Sequence, residues 1–136
     1  MGSQENEAHV RRYLHDIGIG DHDAAYAAFA EDATWNTPPS MPWAARFEGR
    51  RSIFDDYFAV DKGLFTTGMS RYDLELRTVI AAGEQVVVEM THRSTGLNGK
   101  PYVTDHCLVC DLKDGLIQAV REYIDSLYLK EQMIDA

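Results

Sequence analysis

His92, His106 and Glu122 are the side chains of the C-terminal half whose types suit proton transfer in an apolar interior. Each lies where apolar and polar residues alternate, which is typical of half-buried strands. Burial raises the pKa of a carboxyl group because it disfavours the charged form, and a neighbouring imidazole lowers that pKa again. Such a coupled pair can titrate near neutrality and move protons. We therefore expect Glu122 and His106 to form a proton-transfer pair, with His92 beside them.

Two other interpretations of these three residues stay open. A buried histidine–glutamate hydrogen bond also occurs in closed cores, where it only satisfies two polar groups. Two imidazoles and a carboxylate are also a ligand set that catalytic zinc sites use. Nothing else in the pattern indicates a metal, so we predict no metal site.

Two predicted strands, 86–95 and 101–112, bring the histidines to one face. The charged residues of the first strand belong in water, which directs His92 inward because side chains alternate along a strand. The dipeptide Asn98-Gly99 is a strong hairpin signal. A three-residue loop with a glycine in the left-handed conformation pairs the two strands so that their inward-facing residues lie on the same face. That loop pairs Met90 with His106 and His92 with Thr104.

A third strand, 116–126, follows the dipeptide Asp114-Gly115, which is a second hairpin signal. The same kind of loop over 113–115 places His106 opposite Glu122 and Leu108 opposite Val120. The two hairpins then agree on one inner face, and the predicted proton-transfer residues meet on it.

Helices dominate the first part of the chain. Apolar residues at helical spacing predict a first helix that ends at Gly18, and Asp21 is predicted to cap a second helix. A strand over 33–37 leads into a proline-rich loop that could cover a cavity, and a third helix follows over 50–60. Helices followed by an antiparallel meander predict an α+β fold, with three N-terminal helices on one face of a curved antiparallel sheet.

Composition limits the domain count and the partners. The chain has 136 residues, of which 45% are hydrophobic, so we expect a single domain over 1–136. Its net charge of −9 disfavours nucleic acid. No apolar stretch is long enough to cross a bilayer, and the start lacks signal-peptide features, so we expect no membrane partner and a cytoplasmic location. Cys107 and Cys110 lie three apart on a predicted strand and should face opposite ways, which argues against a disulfide.

Several groups of residues resemble the SnoaL-like group of the nuclear-transport-factor-type cone fold. They are Gly20-Asp21-His22-Asp23, the run from Phe29 to Thr34, Phe47-Glu48-Gly49, and the C-terminal runs 113–117 and 121–125. Ketosteroid isomerase, limonene epoxide hydrolase and scytalone dehydratase share this fold. The resemblance covers nearly the whole chain and implies a cone with an apolar pocket and a homodimer through the outer face of the sheet. It says less about chemistry, because one fold hosts many activities.

The resemblance also implies roles for single residues. Tyr13 matches the tyrosine with which ketosteroid isomerase stabilises an enolate oxygen, so it is a candidate oxyanion donor. The base of that enzyme falls on Thr37 and its second acid on Leu108, and neither residue can serve. The aspartate–arginine–aspartate set of limonene epoxide hydrolase falls on His92, Met90 and Glu122. Of these three positions, only Glu122 has a carboxyl group in this chain. The tyrosine and asparagine that hold its water fall on Trp35 and Thr37.

Together these features predict a cofactor-independent enzyme that acts on a hydrophobic small molecule, such as a polyketide, terpenoid or steroid-like compound. The expected chemistry is general acid/base catalysis by an isomerase, dehydratase or cyclase. An epoxide hydrolase with an altered catalytic set and a ligand-binding module without chemistry are the alternatives. The predicted catalytic residues are Glu122, His106, His92 and Tyr13. The predicted substrate contacts are Trp35, Thr37, Tyr72, Leu74, Met90, Thr104, Leu108 and Ile124.

Overall fold

The computed structural model describes residues 2–135. Within this range the α-helices are α1 (Ser3–Gly18), α2 (His22–Ala27), α3 (Arg50–Ser52) and α4 (Ser126–Leu129). The strands are β1 (Phe29–Asn36), β2 (Arg46–Glu48), β3 (Asp73–Ala82), β4 (Gln85–Thr95), β5 (Pro101–Lys113) and β6 (Leu116–Ile124). A π-helical turn (Ile53–Tyr57) and a 3₁₀ helix (Phe58–Gly63) continue α3, and the three pieces together are called segment 50–63. A second π-helical turn, Lys130–Ile134, follows α4.

The six strands form one sheet in the order β2-β1-β6-β5-β4-β3. Neighbouring strands are antiparallel except β1 and β6, which run parallel. Register shifts within three of these pairs bend the strands, as β-bulges do, so the sheet curves. The predicted α+β class is confirmed. The predicted count of three N-terminal helices is not exact, because α4 lies at the C-terminus and the third helix is mostly π and 3₁₀ turns.

The predicted end of α1 at Gly18 and the predicted start of α2 after Asp21 are confirmed, but α2 ends at Ala27, and Phe29, which the sequence predicts within this helix, begins β1. The Asp21 carboxylate accepts a hydrogen bond from the backbone N–H of Ala24 and so caps α2. Gly20 has φ +80°, and a Cβ at this position would lie 2.1 Å from the carbonyl oxygen of Ser70. Only glycine fits there, because the backbone is left-handed and a second chain segment lies against it. The turn after α1 therefore holds that helix against the start of β3.

The β4–β5 hairpin has the predicted register. Met90 is opposite His106, and His92 is opposite Thr104. Gly99 has φ +82°, and the N–H of Gly96 donates to the carbonyl of Lys100 across the loop. The predicted three-residue loop with a left-handed glycine is thus confirmed.

The β5–β6 hairpin differs from the prediction by two residues. His106 is opposite Ile124, and Leu108 is opposite Glu122. The turn has only two residues, Asp114 at φ +52° and Gly115 at φ +78°, as a type I′ turn requires. A register shift between Asp111 and Leu112, two residue pairs from the turn, adds the rest of the difference. Because the error is an even number of residues, the predicted inner face is still correct.

The main hydrophobic core lies between α1, segment 50–63 and the inner face of the sheet. A smaller cluster of Met41, Phe65, Tyr102 and Leu129 closes one end of it. Cys107 and Cys110 are free thiols, the first half-buried and the second buried. Among the described residues, no helix is long and apolar enough to span a membrane.

Candidate active site

A cavity of about 80 Å³ lies between α1, segment 50–63 and the inner face of the sheet. All four predicted catalytic residues, Tyr13, His92, His106 and Glu122, line it. Six of the eight predicted substrate contacts also line it: Trp35, Tyr72, Leu74, Met90, Leu108 and Ile124. Thr37 and Thr104 do not. The Thr37 hydroxyl donates to the carbonyl of Ala44 at 3.5 Å beside a separate surface depression, and Thr104 is half-buried on β5.

Glu122 of β6 is the centre of the polar network in this cavity. The indole Nε1 of Trp35 donates to its Oε1 at 3.1 Å, and the Tyr57 hydroxyl donates to the same oxygen. Its other oxygen, Oε2, lies 2.7 Å from Nδ1 of His106. Burial by itself raises the pKa of Glu122, but the hydrogen bonds and charge of His106, with those from Tyr57 and Trp35, hold that pKa below its usual range. Glu122 is therefore a carboxylate at neutral pH.

The charge of Glu122 determines the tautomer of His106. A carboxylate only accepts hydrogen bonds, so Nδ1 of His106 must carry a proton and donate it to Oε2. In the neutral imidazole, Nε2 then has a free lone pair. Among the described residues, this buried Nε2 has no hydrogen-bond partner. The carboxylate thus fixes the orientation of the His106 ring, and whenever that ring is neutral its lone pair lies on Nε2, inside the cavity.

The ring of His92, on β4, packs among other aromatic rings. Its ring centroid is 5.4 Å from that of Phe65, 5.6 Å from that of Tyr102 and 5.6 Å from that of His106. Burial, with a smaller contribution from the charge of His106, lowers the pKa of His92 to about 4. His92 is therefore neutral near pH 7, where it offers one hydrogen-bond donor and one acceptor.

Tyr13 of α1 is almost fully buried, with its ring packed edge-on against Phe29 at 4.9 Å. Burial, followed by the charges of Cys110 and Glu122, raises the pKa of its hydroxyl above the ordinary value. The hydroxyl is thus neutral and able to donate a hydrogen bond. A neutral donor is what the oxyanion role implied by the family resemblance requires.

Two residues that line the cavity, Asp61 and Tyr57 of segment 50–63, are not among the site residues predicted from the sequence. The Tyr72 hydroxyl donates to Oδ2 of Asp61 at 2.5 Å. Burial raises the pKa of Asp61 to about 7, against the lowering effect of that hydrogen bond. A signal was present: Phe54, Tyr57 and Asp61 are spaced three and four apart, which places them on one helical face.

Trp43 of the proline-rich loop, which the sequence predicts as a cover for a cavity, lines this one. Its buried indole Nε1 has no hydrogen-bond partner among residues 2–135. The ring packs against that of Tyr57, with centroids 6.3 Å apart. No group of three residues in the described range is arranged to hold a metal ion.

Comparison with known proteins gives one family model and many similar structures. The model of the SnoaL-like domain matches residues 10–120. An NTF2-like protein of unknown function from Burkholderia pseudomallei is 21% identical, with a TM-score of 0.85 over 98% of this chain and 99% of that one. TerC, co-crystallised with polyporic acid, is 20% identical, with a TM-score of 0.83 over 97% of this chain and 99% of that one. No curated protein matches.

A third similar structure is an epoxide hydrolase from M. tuberculosis, which is described as like limonene epoxide hydrolase. It is 18% identical, with a TM-score of 0.74 over 98% of this chain and 92% of that one. At this level of identity, such similarities establish the fold and not the chemistry.

Proposed function

Since the chain belongs to the SnoaL-like domain family, whose fold hosts many chemistries, we propose that it is a cofactor-independent acid/base enzyme acting on a hydrophobic small molecule. One observation carries the proposal. The ionised Glu122 holds Nδ1 of His106 at 2.7 Å, and the opposite nitrogen of that ring has no partner in an apolar cavity. His106 is the base in this proposal, and Glu122 is its positioning residue.

The proposed reaction begins with removal of a proton from a carbon next to a substrate carbonyl. His106 Nε2 accepts this proton, and the electron pair of the C–H bond forms the double bond of an enolate. The neutral hydroxyl of Tyr13 and the neutral ring of His92 are suited to hydrogen-bond the oxygen on which charge develops. Return of the proton to another carbon completes an isomerisation. Departure of a β-hydroxyl group with that proton, as water, completes a dehydration.

The cavity volume constrains the substrate. An apolar cavity of about 150 Å³ admits benzene, and the cavity of this protein measures about 80 Å³. A compact substrate therefore needs a small displacement of lining side chains. A terpenoid or steroid-like substrate needs movement of segment 50–63 or of the loop that carries Trp43. Compact probes are accordingly the first choice for assays.

The test uses three five-membered-ring compounds, one for each reaction class. Cyclopent-3-en-1-one and 3-hydroxycyclopentanone both give cyclopent-2-enone, by isomerisation and dehydration, and its conjugated ketone absorbs in the ultraviolet. Cyclopentene oxide gives a diol and reports epoxide opening. His106→Gln and Glu122→Gln should each lower kcat by at least about 100-fold. His15→Gln, on the exposed face of α1, is the matched control and should keep the full rate. Full activity of His106→Gln on a compound that the wild type converts would contradict the proposal.

Epoxide opening remains the alternative chemistry for the same site. Glu122 matches one of the two aspartates of limonene epoxide hydrolase. However, three donors already occupy its two oxygens, which leaves His106 as the better base for activating water. Turnover of cyclopentene oxide without turnover of either ketone would favour this alternative.

The second candidate function is a ligand-binding module without chemistry. The unpartnered Nε1 of Trp43 favours it, because a buried indole N–H calls for an acceptor that a bound molecule supplies. In that case His106→Gln and Glu122→Gln would change ligand affinity, and no probe would be converted. The homodimer also remains a proposal. Val103 and Tyr123 are exposed on the outer face of the sheet, where the family resemblance places the partner subunit.

A further inference from the structure

Asp61 is a carboxyl group of the cavity that the reaction proposed above does not use. It lies on the 3₁₀ helix of segment 50–63, and its Oδ2 accepts the hydroxyl of Tyr72 at 2.5 Å. Residues 2–135 supply no second hydrogen bond to the carboxyl group, so Oδ1 is free. Tyr72 thus orients the carboxyl group and leaves the other oxygen available to a molecule in the cavity.

The surroundings of Asp61 favour its protonated form. Burial is the largest cause of the raised pKa of Asp61, and the charge of Glu122 adds to it. The Tyr72 hydrogen bond and the charge of His106 act in the opposite direction and leave that pKa at about 7. The other titratable groups that line the cavity with Asp61 come from α1, segment 50–63, the chain before β3, and strands β4, β5 and β6: Tyr13, Tyr57, Tyr72, His92, Tyr102, His106 and Glu122.

Asp61 and Glu122 are two carboxyl groups in one cavity with opposite tendencies. Glu122 has three hydrogen-bond donors and is ionised, whereas Asp61 has one donor and a pKa of about 7, so a substantial fraction of Asp61 is protonated at neutral pH. When the environment separates two carboxyl groups in this way, one suits the acid role and the other the charged role. A ligand that carries its own negative charge would meet the carboxylate of Glu122 in a cavity of low polarity, which is unfavourable.

We propose that Asp61 is the proton donor of this cavity, that it delivers its proton from Oδ1 to an uncharged ligand oxygen, and that the site therefore takes neutral carbonyl, hydroxyl or epoxide compounds and not carboxylates. The turnover part of this inference rests on the proposed function, and the protonation and binding parts do not. During enolisation the C–H proton moves to Nε2 of His106, the carbonyl π pair moves to oxygen, and that oxygen takes the proton of Asp61. Collapse of the enol returns the proton to Asp61, so the donor is regenerated without a cofactor.

The first test needs no ligand. Infrared spectroscopy follows the C=O band of protonated carboxyl groups through the neutral range in the wild type, Asp61→Asn and Asp55→Asn. Asp55 is an exposed carboxylate of the same segment and serves as the matched control. The wild type and the control should lose one band with a midpoint near 7, and Asp61→Asn should lack that band. Tyr72→Phe should move the midpoint upward, because the lost hydrogen bond favours the ionised form.

The second test measures binding of cyclopentanone and cyclopentanecarboxylate by ligand-observed NMR. Wild-type affinity for cyclopentanone should fall at least about tenfold as the pH rises through the midpoint, because Asp61 loses its proton. Asp61→Asn should bind the ketone equally at every pH, since its amide N–H still donates. Below the midpoint, where Asp61 is protonated and Glu122 is still charged, cyclopentanecarboxylate should bind at least about tenfold more weakly than the ketone.

The outcomes separate this inference from the proposed function. Absence of an infrared band that depends on Asp61 would overturn it, and so would an equal pH dependence of ketone binding in the wild type and Asp61→Asn. Failure of cyclopentanone to bind, or tighter binding of the carboxylate, would overturn the ligand class. Failure of every probe to react contradicts the proposed function alone, because the Asp61 band and the ketone affinity do not depend on turnover.

Discussion

His106 and Glu122 are joined through Nδ1 and Oε2 at 2.7 Å, although the sheet does not pair them directly. His106 lies opposite Ile124, and Glu122 lies opposite Leu108. The contact is therefore diagonal between neighbouring strands, which long side chains on one face can reach. It places an ionised carboxylate behind an imidazole whose other nitrogen has no partner among the described residues. The following predictions test the network around this contact.

Glu122→Gln should lower the free energy of unfolding at neutral pH by about 3 kcal/mol, because it removes a buried charge that three donors surround. The folded-state pKa of Glu122 is lowered, so the stability from its charge is present above the usual pKa of 4.5 and is lost as the pH falls through the folded value. Urea denaturation at neutral and acid pH measures both effects. Glu48→Gln, in an exposed ion pair, is the control and should cost less than about 1 kcal/mol. A constant difference between wild type and Glu122→Gln at all pH values would argue against an ionised Glu122.

Tyr57→Phe should cost about 2 kcal/mol, because it deletes a hydrogen bond to a charged group without changing the ring contacts. Loss of this donor should also raise the pKa of Glu122, so acid unfolding should begin at a higher pH than in the wild type. Circular dichroism during acid titration gives this midpoint. Tyr123→Phe, at an exposed position, should leave the midpoint unchanged. Equal midpoints for Tyr57→Phe and the wild type would mean that the Tyr57 bond does not support the carboxylate.

His92→Phe should remove a pH dependence of stability between neutral and acid conditions. In the folded protein the pKa of His92 is about 4, below its usual 6.5, so the unfolded chain takes up a proton first as the pH falls. The contribution of the neutral His92 ring to the free energy of unfolding is fully present above the usual pKa of 6.5. It decreases by up to about 3 kcal/mol as the pH falls to the folded-state pKa. Unfolding free energies across this range should fall in the wild type and fall less in His92→Phe. The exposed replacement His15→Gln should follow the wild-type curve. Parallel curves for the wild type and His92→Phe would contradict a neutral His92.

Gly20→Ala should destabilise the fold by about 3 kcal/mol, because it combines a left-handed backbone with a clash. The new Cβ would lie 2.1 Å from the carbonyl oxygen of Ser70. Gly83 also has positive φ, at +57°, but a Cβ there meets nothing within 4 Å. Gly83→Ala should therefore cost only about 1 kcal/mol, which is the backbone effect alone. Thermal unfolding of both variants separates the two contributions, and equal losses would show that the contact with Ser70 relaxes.

The β4–β5 hairpin was predictable because two local signals agree. Alternation of charged and apolar residues assigns the faces of β4, and a left-handed glycine determines the loop length. The β5–β6 hairpin carries a glycine signal too, but its turn has two residues instead of the predicted three, and a register shift between Asp111 and Leu112 adds one more residue without a local mark in the sequence. The predicted register was therefore wrong by two residues while the predicted face was correct.

The position of Asp61 in the cavity could not be predicted from the sequence. Its helical spacing from Phe54 and Tyr57 is visible in the chain, but the segment continues as π and 3₁₀ turns, which change the side-chain directions. Whether Asp61 faces water or the cavity depends on how segment 50–63 packs against the inner face of the sheet. Its hydrogen bond to Tyr72 joins residues 11 positions apart through that packing.

The sequence by itself determined the N-terminal helices followed by an antiparallel meander, the inner face of that meander, and the residue types that converge there. These properties follow from local periodicity and turn chemistry, which act over a few residues. Only the tertiary structure decided which carboxyl group is ionised, because the charge of Glu122 depends on donors from β1, segment 50–63 and β5. A pKa in a cavity reflects the sum of burial and partners that come from distant parts of the chain. The assignment of acid and base therefore belongs to the folded protein.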